Sequence, residues 1–534
     1  MRRWLTIIVL SLFLGLPAAA IAVDKPYFYP YVNPLEATVM ELPPYYNADT
    51  PHKVPTKTFK VKPFPDRQVP KVFWYEDGLV CSLTYQKQEA PLIFVIAGTG
   101  ARHNSPKMVN MQRALYQAGY HVISITSPTH MNFIVNASST MTPGNLHEDA
   151  KDLYQVMQLA MAKVGDDIKV SSYHLTGYSL GGIQSAFVSM LDEEKKVFDF
   201  ERVLLINPPV NLYTSVNILD AMLDNIPGGV NNFDAWFDNV MKKLAAAEKQ
   251  MGYFELNGDY IYKAYKRFPP REDFLAALVG ISFRTDSASM IFTSDVMKGG
   301  GFITPTDVTM TNSTALTPYY VVANRTSFED YFRQHFVPFF QKKDPSLTAE
   351  KMIKMLSLRS IEPYLKSARK IGLLGNEDDI ILAPGEIGYL EQLFGDRAKI
   401  FPTGGHCGNM NHQDVVDEGT ELVARRNAVI AYAEINRFAA ADHDGEAGCA
   451  GGFHPAADRG IEHVGTAGRH HCSKSSGCRW RNRAHIHQYG ILADRLDRLA
   501  GPRVAQQPVE EPVLILHPRL APDLGTARAP AQAP

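Results

Sequence analysis

A serine flanked by glycines, in the stretch Gly177–Gly182 (GYSLGG), is the part of this sequence with the clearest capacity for chemistry. The residues before it, Ser172–Thr176, are β-prone, and Ile183 and Phe187 begin an apolar pattern at helical spacing after it. A strand, a sharp turn and a helix in that order are what a G-x-S-x-G nucleophile elbow requires. Glycines suit this turn because strand and helix approach closely and the serine backbone is strained. We therefore predict that Ser179 is a nucleophile; a glycine-rich turn without chemistry is the alternative.

Acids and a histidine follow the serine, each after a predicted strand. The strand Lys370–Leu374 leads into a loop that contains Asp378 and Asp379, and the strand Ala398–Phe401 leads into a glycine-rich loop that contains His406. The chain order serine, acid, histidine suits a triad in which the histidine takes the serine proton and the carboxylate fixes the imidazole tautomer. An ordinary surface histidine is the alternative for His406.

A continuous apolar and β-rich run, Pro91–Ile96, predicts a central parallel strand. It ends in the glycine-rich segment Ala97–Arg102. Such a loop after a strand can cradle a phosphate, but neither G-x-G-x-x-G nor G-K-[ST] follows here. The sequence therefore argues against a nucleotide site.

From about Lys57 to about Arg437 the chain resembles serine hydrolases of the α/β-hydrolase superfamily. Four motifs carry the resemblance: IAGTGAR, GYSLGG, GNEDD and GGHCGN. The chain is similar to poorly characterised secreted members from Gram-negative bacteria. The resemblance implies an α/β fold with a mostly parallel sheet, helices on both faces, and a large, mainly helical cap inserted over the active site.

The resemblance also implies the roles of the triad residues. Ser179 would be the nucleophile and His406 the general base and then the general acid. Asp378 is the preferred acid, because G-x-x-D followed by an apolar pair and a proline resembles the usual form of this turn in the superfamily. Asp379 remains the alternative.

The oxyanion hole is implied in the same way. In α/β-hydrolases one donor is a backbone N–H of the loop after the central strand, and the other is the N–H of the residue after the nucleophile. Those residues here are Thr99 and Leu180. This loop begins with Ala97-Gly98, where the superfamily more often has His-Gly.

The N-terminus predicts a secretory signal. Arg2-Arg3 is basic, Trp4–Leu16 is apolar, and Ala20-Ile21-Ala22 matches a cleavage site. We expect cleavage after Ala22, a periplasmic or secreted protein, and no transmembrane segment in the mature chain. An uncleaved anchor over Leu5–Val23 is the alternative.

The chain exceeds the length of one hydrolase core, so an insertion and a tail are expected. The segment between the strand near Arg202–Ile206 and the strand near Lys370 is far longer than a crossover needs, and it is rich in aromatic residues. The expected organisation is a signal peptide (1–22), an extended N-terminal arm (23–56), the first part of the core (57–210), the cap (211–365), the second part of the core (366–437) and a low-order tail (438–534).

The tail differs from the rest in composition. From Phe438 onward Arg almost replaces Lys, and Ala, Gly and Pro are frequent. This pattern resembles translation of a GC-rich reading frame that never evolved to fold, and a natural disordered tail is the alternative. Cysteines and histidines cluster there, but C-x5-C and H-x-H do not match zinc spacing, so we expect no metal.

Composition is that of a globular protein, with 45% hydrophobic and 21% charged residues. A net charge of −2 argues against a nucleic-acid partner. Cys81 and Cys407 could pair in an oxidising compartment, but two separate buried thiols are favoured.

We expect a hydrolase of a carboxylic ester on a small or lipid-like acyl substrate, with no cofactor. Acyl transfer, amide or peptide cleavage, and a non-catalytic envelope protein are the alternatives.

Overall fold

The computed structural model describes residues 27–240, 242, 266 and 270–424. Its centre is an eight-stranded sheet. The strands are β1 (Thr56–Val61), β2 (Leu79–Thr84), β3 (Ala90–Ile96), β4 (His121–Ile125), β5 (Val170–Tyr178), β6 (Arg202–Ile206), β7 (Ile371–Asn376) and β8 (Ala398–Phe401). Their order in the sheet is β1-β2-β4-β3-β5-β6-β7-β8. Strand β2 runs antiparallel to β1 and to β4, and the pairs from β4 through β3 to β8 are parallel.

The central strand β3 is apolar throughout because both faces of the sheet are covered. Side chains alternate between the faces along a strand. Leu92, Phe94 and Ile96 accordingly belong to one buried cluster, whereas Ile93 and Val95 belong to another on the opposite face. The continuous run in the sequence therefore encodes two cores, one on each side of the sheet.

Helices supply the outer layers of both cores. Those on the first face include Leu146–Val164, Leu180–Lys195 and Glu386–Phe394, and those on the second face include Pro106–Gln117 and Gln413–Ala424. The α-helices are α1 (Pro34–Val39), α2 (Pro106–Gln117), α3 (Met131–Asn136), α4 (Leu146–Val164), α5 (Leu180–Lys195), α6 (Leu212–Ala221), α7 (Glu272–Lys298), α8 (Thr317–Arg325), α9 (Phe328–Tyr331), α10 (Val337–Gln341), α11 (Ala349–Met355), α12 (Glu362–Ser367), α13 (Glu386–Phe394) and α14 (Gln413–Ala424). A π-helical turn, Phe332–Phe336, joins α9 to α10.

Between β6 and β7 all the secondary-structure elements that the structure describes are helices, from α6 to α12. This agrees with the predicted helical insertion. Helix α7 is its longest described element, and it packs against α3 and α6. By length and composition α7 alone among the described helices could cross a membrane, but 78% of its apolar window is buried inside the protein. That burial is what the core helix of a globular domain shows.

Several expectations fall outside the described residues: the signal peptide, the alternative anchor, and the tail from Phe438 with its cysteines and histidines. Within the described part, Cys81 and Cys407 are both free and buried. The two thiols are therefore separate, as the sequence favoured.

Candidate active site

Ser179 occupies a strained turn between β5 and α5. Its backbone has φ 55° and ψ −123°, a conformation that residues with a side chain rarely adopt. Its N–H donates to the carbonyl of Ile206 over 2.8 Å, which ties the turn to β6. A Cβ on Gly177 would lie 2.3 Å from the carbonyl oxygen of Gly181, and one on Gly181 would lie 2.2 Å from that of Ile96. The flanking glycines are therefore required by close contact.

His406 links the serine to a carboxylate. Its Nε2 lies 2.8 Å from Oγ of Ser179. On the other side of the ring, Nδ1 lies 2.9 Å from Oδ1 and 3.1 Å from Oδ2 of Asp379. The side chain of Asp379 is 1% exposed and that of His406 is 15% exposed. The three side chains thus form a continuous hydrogen-bonded line that ends in a buried acid.

The preference for Asp378 as the partner of this histidine is corrected by the structure. Asp378 accepts backbone N–H groups from Gly404 over 3.2 Å and from Gly405 over 2.8 Å. Its carboxylate is thereby turned to the backbone of the histidine loop, while the next residue, Asp379, reaches the imidazole. Burial raises the pKa of Asp378, and the two N–H donors partly offset the rise. Asp378 shapes the loop, and the alternative, Asp379, contacts the ring.

Asn207 holds the Asp379 carboxylate in place. Its Nδ2 donates to Oδ2 of Asp379 over 2.9 Å, and the N–H of Ile381 donates to Oδ1 over 3.1 Å. Asn207 follows β6 with φ 45°, in the left-handed region that asparagine tolerates better than most residues. The motifs in the sequence did not indicate this role. An asparagine directly after a buried strand and before two prolines was the available signal.

A pair of buried side-chain amides holds the loop that contains His406 (the histidine loop) against the end of β7. Asn376 Nδ2 donates to Oδ1 of Asn409 over 3.0 Å, and Asn409 Nδ2 donates back to Oδ1 of Asn376 over 2.7 Å. Asn376 Nδ2 also donates to the carbonyl of Gly405 over 2.8 Å. Both residues are almost fully buried, each 1% exposed. The pair joins the end of β7 to the loop that carries the imidazole.

The N-terminal segment packs on the outer side of the same loop. The N–H of His406 donates to Oγ1 of Thr38 over 2.9 Å. A Cβ on Gly408 would lie 1.8 Å from the carbonyl oxygen of Ala37, so only glycine fits there. The hydroxyl of Tyr27 donates to the carbonyl of Thr403 over 3.0 Å. Residues hundreds of positions apart in sequence therefore fix the imidazole backbone together.

The electrostatic setting favours the protonated imidazole. Burial lowers the pKa of His406, but the negative charge of Asp379 outweighs it and raises the pKa above the ordinary histidine value. The Sγ atom of Cys407 lies 3.8 Å from Nε2 and adds to the rise. An imidazolium formed beside Ser179 is therefore stabilised in this site.

Thr99 and Leu180, the two expected oxyanion donors, lie on the wall of one cavity, and Leu180 directly follows Ser179 in the chain. Among the hydrogen bonds of the described residues, none uses the backbone N–H of Thr99 or of Leu180. Leu180 is the first residue of α5, where helix N–H groups lack partners within the helix and carry partial positive charge. Both groups are thus available to an oxygen bound next to Ser179.

The cavity itself is narrow and mainly apolar, with a volume of about 40 Å³. Its walls come from the loop Ala97–Arg102 (called the oxyanion loop below, after its expected role), from the loops at Thr129 and at Pro143-Gly144, from the start of α5 and from the segment between β6 and β7. The lining residues are Thr99, Thr129, Pro143, Gly144, Leu180, Leu212, Val216, Phe283, Asp286, Ser287, Met290, Phe328, Tyr331, Phe332, Phe336 and Leu356. Among the described residues no group of three His, Cys, Asp or Glu side chains is placed to hold a metal ion.

Comparisons with known proteins give structural likenesses at low sequence identity. No family model matches the sequence, and no curated protein matches it. The thioesterase domain from the curacin biosynthetic pathway is 13% identical, with 70% of this chain and 100% of that one covered and a TM-score of 0.30. The esterase Pf2001 of Pyrococcus furiosus is 10% identical, with 71% and 99% covered and a TM-score of 0.33. The proline iminopeptidase of Mycobacterium smegmatis is 14% identical, with 67% and 97% covered and a TM-score of 0.31.

The sheet and the turn at Ser179 are enough to identify the fold. Ser179 stands on a sharp turn between a central parallel strand and the helix that follows it. An acid and then a histidine follow in the chain, each after a later strand of the same sheet. This combination of sheet, turn and chain order is that of the α/β-hydrolases, and the chain has the α/β-hydrolase fold.

Proposed function

We propose that this protein is a serine hydrolase that cleaves a carboxylic ester through an acyl-Ser179 intermediate. The observation that supports this most strongly is the line of contacts from Ser179 Oγ through the His406 ring to Asp379, with distances of 2.8 Å and 2.9 Å. A hydroxyl, an imidazole and a buried carboxylate in this order can activate the serine and store the proton it releases.

In the first half of the reaction, His406 Nε2 takes the proton from Ser179 Oγ as the oxygen attacks the ester carbon. The carbonyl oxygen gains negative charge, which the N–H groups of Thr99 and Leu180 stabilise. Asp379 stabilises the imidazolium without taking its proton. When the carbon–oxygen bond of the ester breaks, His406 donates the proton to the departing alcohol.

In the second half, water replaces the alcohol. His406 removes a proton from the water, whose oxygen attacks the acyl carbon, and the same N–H groups stabilise the second oxyanion. The acyl–Ser179 bond then breaks, and the proton on His406 returns to Ser179 Oγ. A carboxylic acid leaves, and the serine is regenerated.

The cavity supports a proposal for the substrate class. Its lining includes Phe283, Met290 and Phe332, and its volume of about 40 Å³ leaves room for a slender group only. We propose that this cavity takes an apolar acyl chain of a small or lipid-like ester. Burying apolar surface contributes roughly 25 cal/mol for each Å² removed from water, so chain length should control affinity.

A fluorophosphonate probe tests the proposal, because such a probe reacts covalently with an activated serine. Intact-mass analysis of the wild type should show one adduct, and Ser179→Ala should show none. Ser185→Ala, at a buried serine within α5, the helix that follows the turn, is the matched control and should keep the adduct. Folded wild-type protein without an adduct, or equal labelling of Ser179→Ala, would overturn the proposal. A series of p-nitrophenyl esters of increasing acyl length then measures the cavity.

A further inference from the structure

One charged side chain stands among the apolar walls of the active-site cavity. Of the described residues that line it, Asp286 is the only Asp, Glu, Lys, Arg or His. It belongs to α7, the long helix of the insertion, and is 6% exposed. Ligand sites are typically apolar with a few placed polar groups that fix orientation and specificity, so an acid in such a place is a candidate for a role in substrate recognition.

The carboxyl group of Asp286 packs directly on the oxyanion loop. A Cβ on Gly100 would lie 2.4 Å from its Cγ and 2.7 Å from each of its carboxyl oxygens. Gly100 follows Thr99 in the chain, has φ 65°, and donates its N–H to Oγ1 of Thr129 over 2.9 Å. Position 100 must therefore be glycine, both for its backbone conformation and to let the acid approach.

This position has an electrostatic consequence for the reaction. The carboxyl lies one residue from Thr99, which donates to the negative oxygen that forms during the attack. A second negative charge so close opposes that oxygen in a site of low dielectric constant. A positive group on the substrate that contacts Asp286 would remove the conflict and would gain a charge-assisted hydrogen bond.

We propose that Asp286 is a specificity-determining residue, which selects esters that carry an ammonium group near the scissile carbonyl and an apolar body. The inference rests on the proposed hydrolase function. The apolar body would lie in the cavity, against the side chains of Leu212 and Phe283. The cation would lie between Asp286 and the reacting carbonyl, on the acyl side or on the alcohol side of the ester.

Two matched substrate pairs distinguish these sides. Leucine methyl ester and methyl 4-methylpentanoate differ by an ammonium group on the acyl side. Butyrylcholine and 3,3-dimethylbutyl butyrate differ by a quaternary nitrogen on the alcohol side. The readout is the ratio of kcat/KM, cationic over neutral ester, at one pH. In the wild type we expect one pair to give a ratio of about 10 or more, since a desolvated charge pair discriminates strongly.

Asp286→Asn keeps the shape of the side chain and removes its charge, so it should lower that ratio about tenfold or more. Asp273→Asn is the matched control, because Asp273 is on the same helix, 41% exposed and paired with Arg271. It should leave the ratio unchanged. Equal ratios in the wild type and Asp286→Asn would overturn the inference.

The wild type also decides alone if Asp286→Asn does not fold. A ratio at or below one for both pairs in the wild type would show that no cation is selected. Failure of the hydrolase proposal looks different: no ester of either pair is cleaved and the fluorophosphonate probe does not label Ser179. Hydrolysis of the neutral esters with no cation preference would leave the hydrolase intact and overturn only the role of Asp286.

Discussion

Both carboxyl oxygens of Asp379 lie within 3.1 Å of Nδ1 of His406. Because Nδ1 must then carry the hydrogen, the lone pair of the neutral ring is at Nε2, which faces Ser179. The carboxylate is almost fully buried, so little water competes for this contact. The pairing therefore sets the tautomer of the ring and stabilises the positive charge that it acquires.

The first prediction separates the two neighbouring acids. Asp379→Asn presents an amide to Nδ1 and favours the wrong tautomer, so kcat should fall by about 10⁴. Asp378→Asn instead weakens the contacts to Gly404 and Gly405, and should cost about 1–3 kcal/mol of stability with a much smaller loss of kcat. Ester kinetics and thermal unfolding of both variants measure this. Comparable losses of kcat in the two variants would contradict it.

The second prediction concerns pH. The general base is the neutral imidazole, and Asp379 raises the pKa of His406. The kcat/KM of the wild type for a neutral ester should therefore decline as the pH falls, with a midpoint above the ordinary value of about 6.5. A midpoint at or below that value, with the protein folded by circular dichroism, would refute the prediction.

The raised pKa of His406 also makes the stability of the fold depend on pH, in the direction opposite to that of the activity. Protonated His406 stabilises the fold fully below the pKa of histidine in the unfolded chain, and this contribution is lost as the pH rises through the raised folded pKa. Activity and this part of the stability should thus change in opposite directions over the same pH window.

The third prediction tests the amide pair beneath the histidine loop. Asn409→Leu keeps the approximate shape but leaves buried groups of Asn376 without partners. Unsatisfied buried groups cost about 1–3 kcal/mol each, so unfolding stability should drop by that order. Turnover should fall as well, because the loop carries His406. Gln413→Ala is the control: its hydrogen bond to the N–H of Asp49 is exposed, and little change in either measurement is expected.

Local pattern was sufficient to predict much of this architecture. The run Pro91–Ile96 could only be a covered strand, and it lies within β3, Ala90–Ile96. The predicted strand Ala398–Phe401 has the bounds of β8. The glycines around Ser179 indicated a tight turn because few other residues permit one, and the structure has that turn.

The choice between Asp378 and Asp379 could not be made from the same information. The two acids are adjacent in one loop, and the direction of each side chain depends on partners far away in sequence. The N–H of Gly405 donates to the carboxylate of Asp378, and Nδ2 of Asn207 donates to the carboxylate of Asp379. Thr38, whose hydroxyl accepts the backbone N–H of His406, lies 368 positions away from it in sequence. No periodicity in the chain reports such contacts.

The fourth prediction concerns the inserted helices that line the cavity. Arg284 donates to Oδ1 of Asp220 over 2.9 Å, and the side chains of this ion pair are 3% and 10% exposed. Asp220 also accepts the N–H of Phe328, which lines the cavity. Asp220→Ala leaves a buried guanidinium unpaired and should cost about 3–5 kcal/mol, with a higher KM.

An exposed ion pair nearby provides the control for that variant. Arg325 and Asp234 lie 3.2 Å apart and are 53% and 47% exposed. Asp234→Ala should cost no more than about 1 kcal/mol and should leave KM unchanged. Urea unfolding and ester kinetics compare the two variants, and equal destabilisation would contradict the distinction between buried and exposed pairs.

The last prediction uses two glycines with opposite surroundings. A methyl group on Gly181 would lie 2.2 Å from the carbonyl oxygen of Ile96, so Gly181→Ala must push α5 away from β3. Overpacking typically costs about 1–3 kcal/mol, and contact with rigid backbone places this site at the upper end or beyond. The shift also moves Leu180, whose N–H is one of the two proposed oxyanion donors, so kcat should fall together with stability.

Gly388 lies within helix α13, and a methyl group added there would have no heavy atom within 4 Å. Gly388→Ala should therefore stabilise the protein by up to about 1 kcal/mol, because alanine favours the helix and restricts the unfolded chain. Turnover should not change, since α13 carries no residue of the site. Thermal unfolding and ester hydrolysis of both variants measure this. If Gly181→Ala were as stable and active as the wild type, the close approach of strand and helix at the serine turn would not be needed.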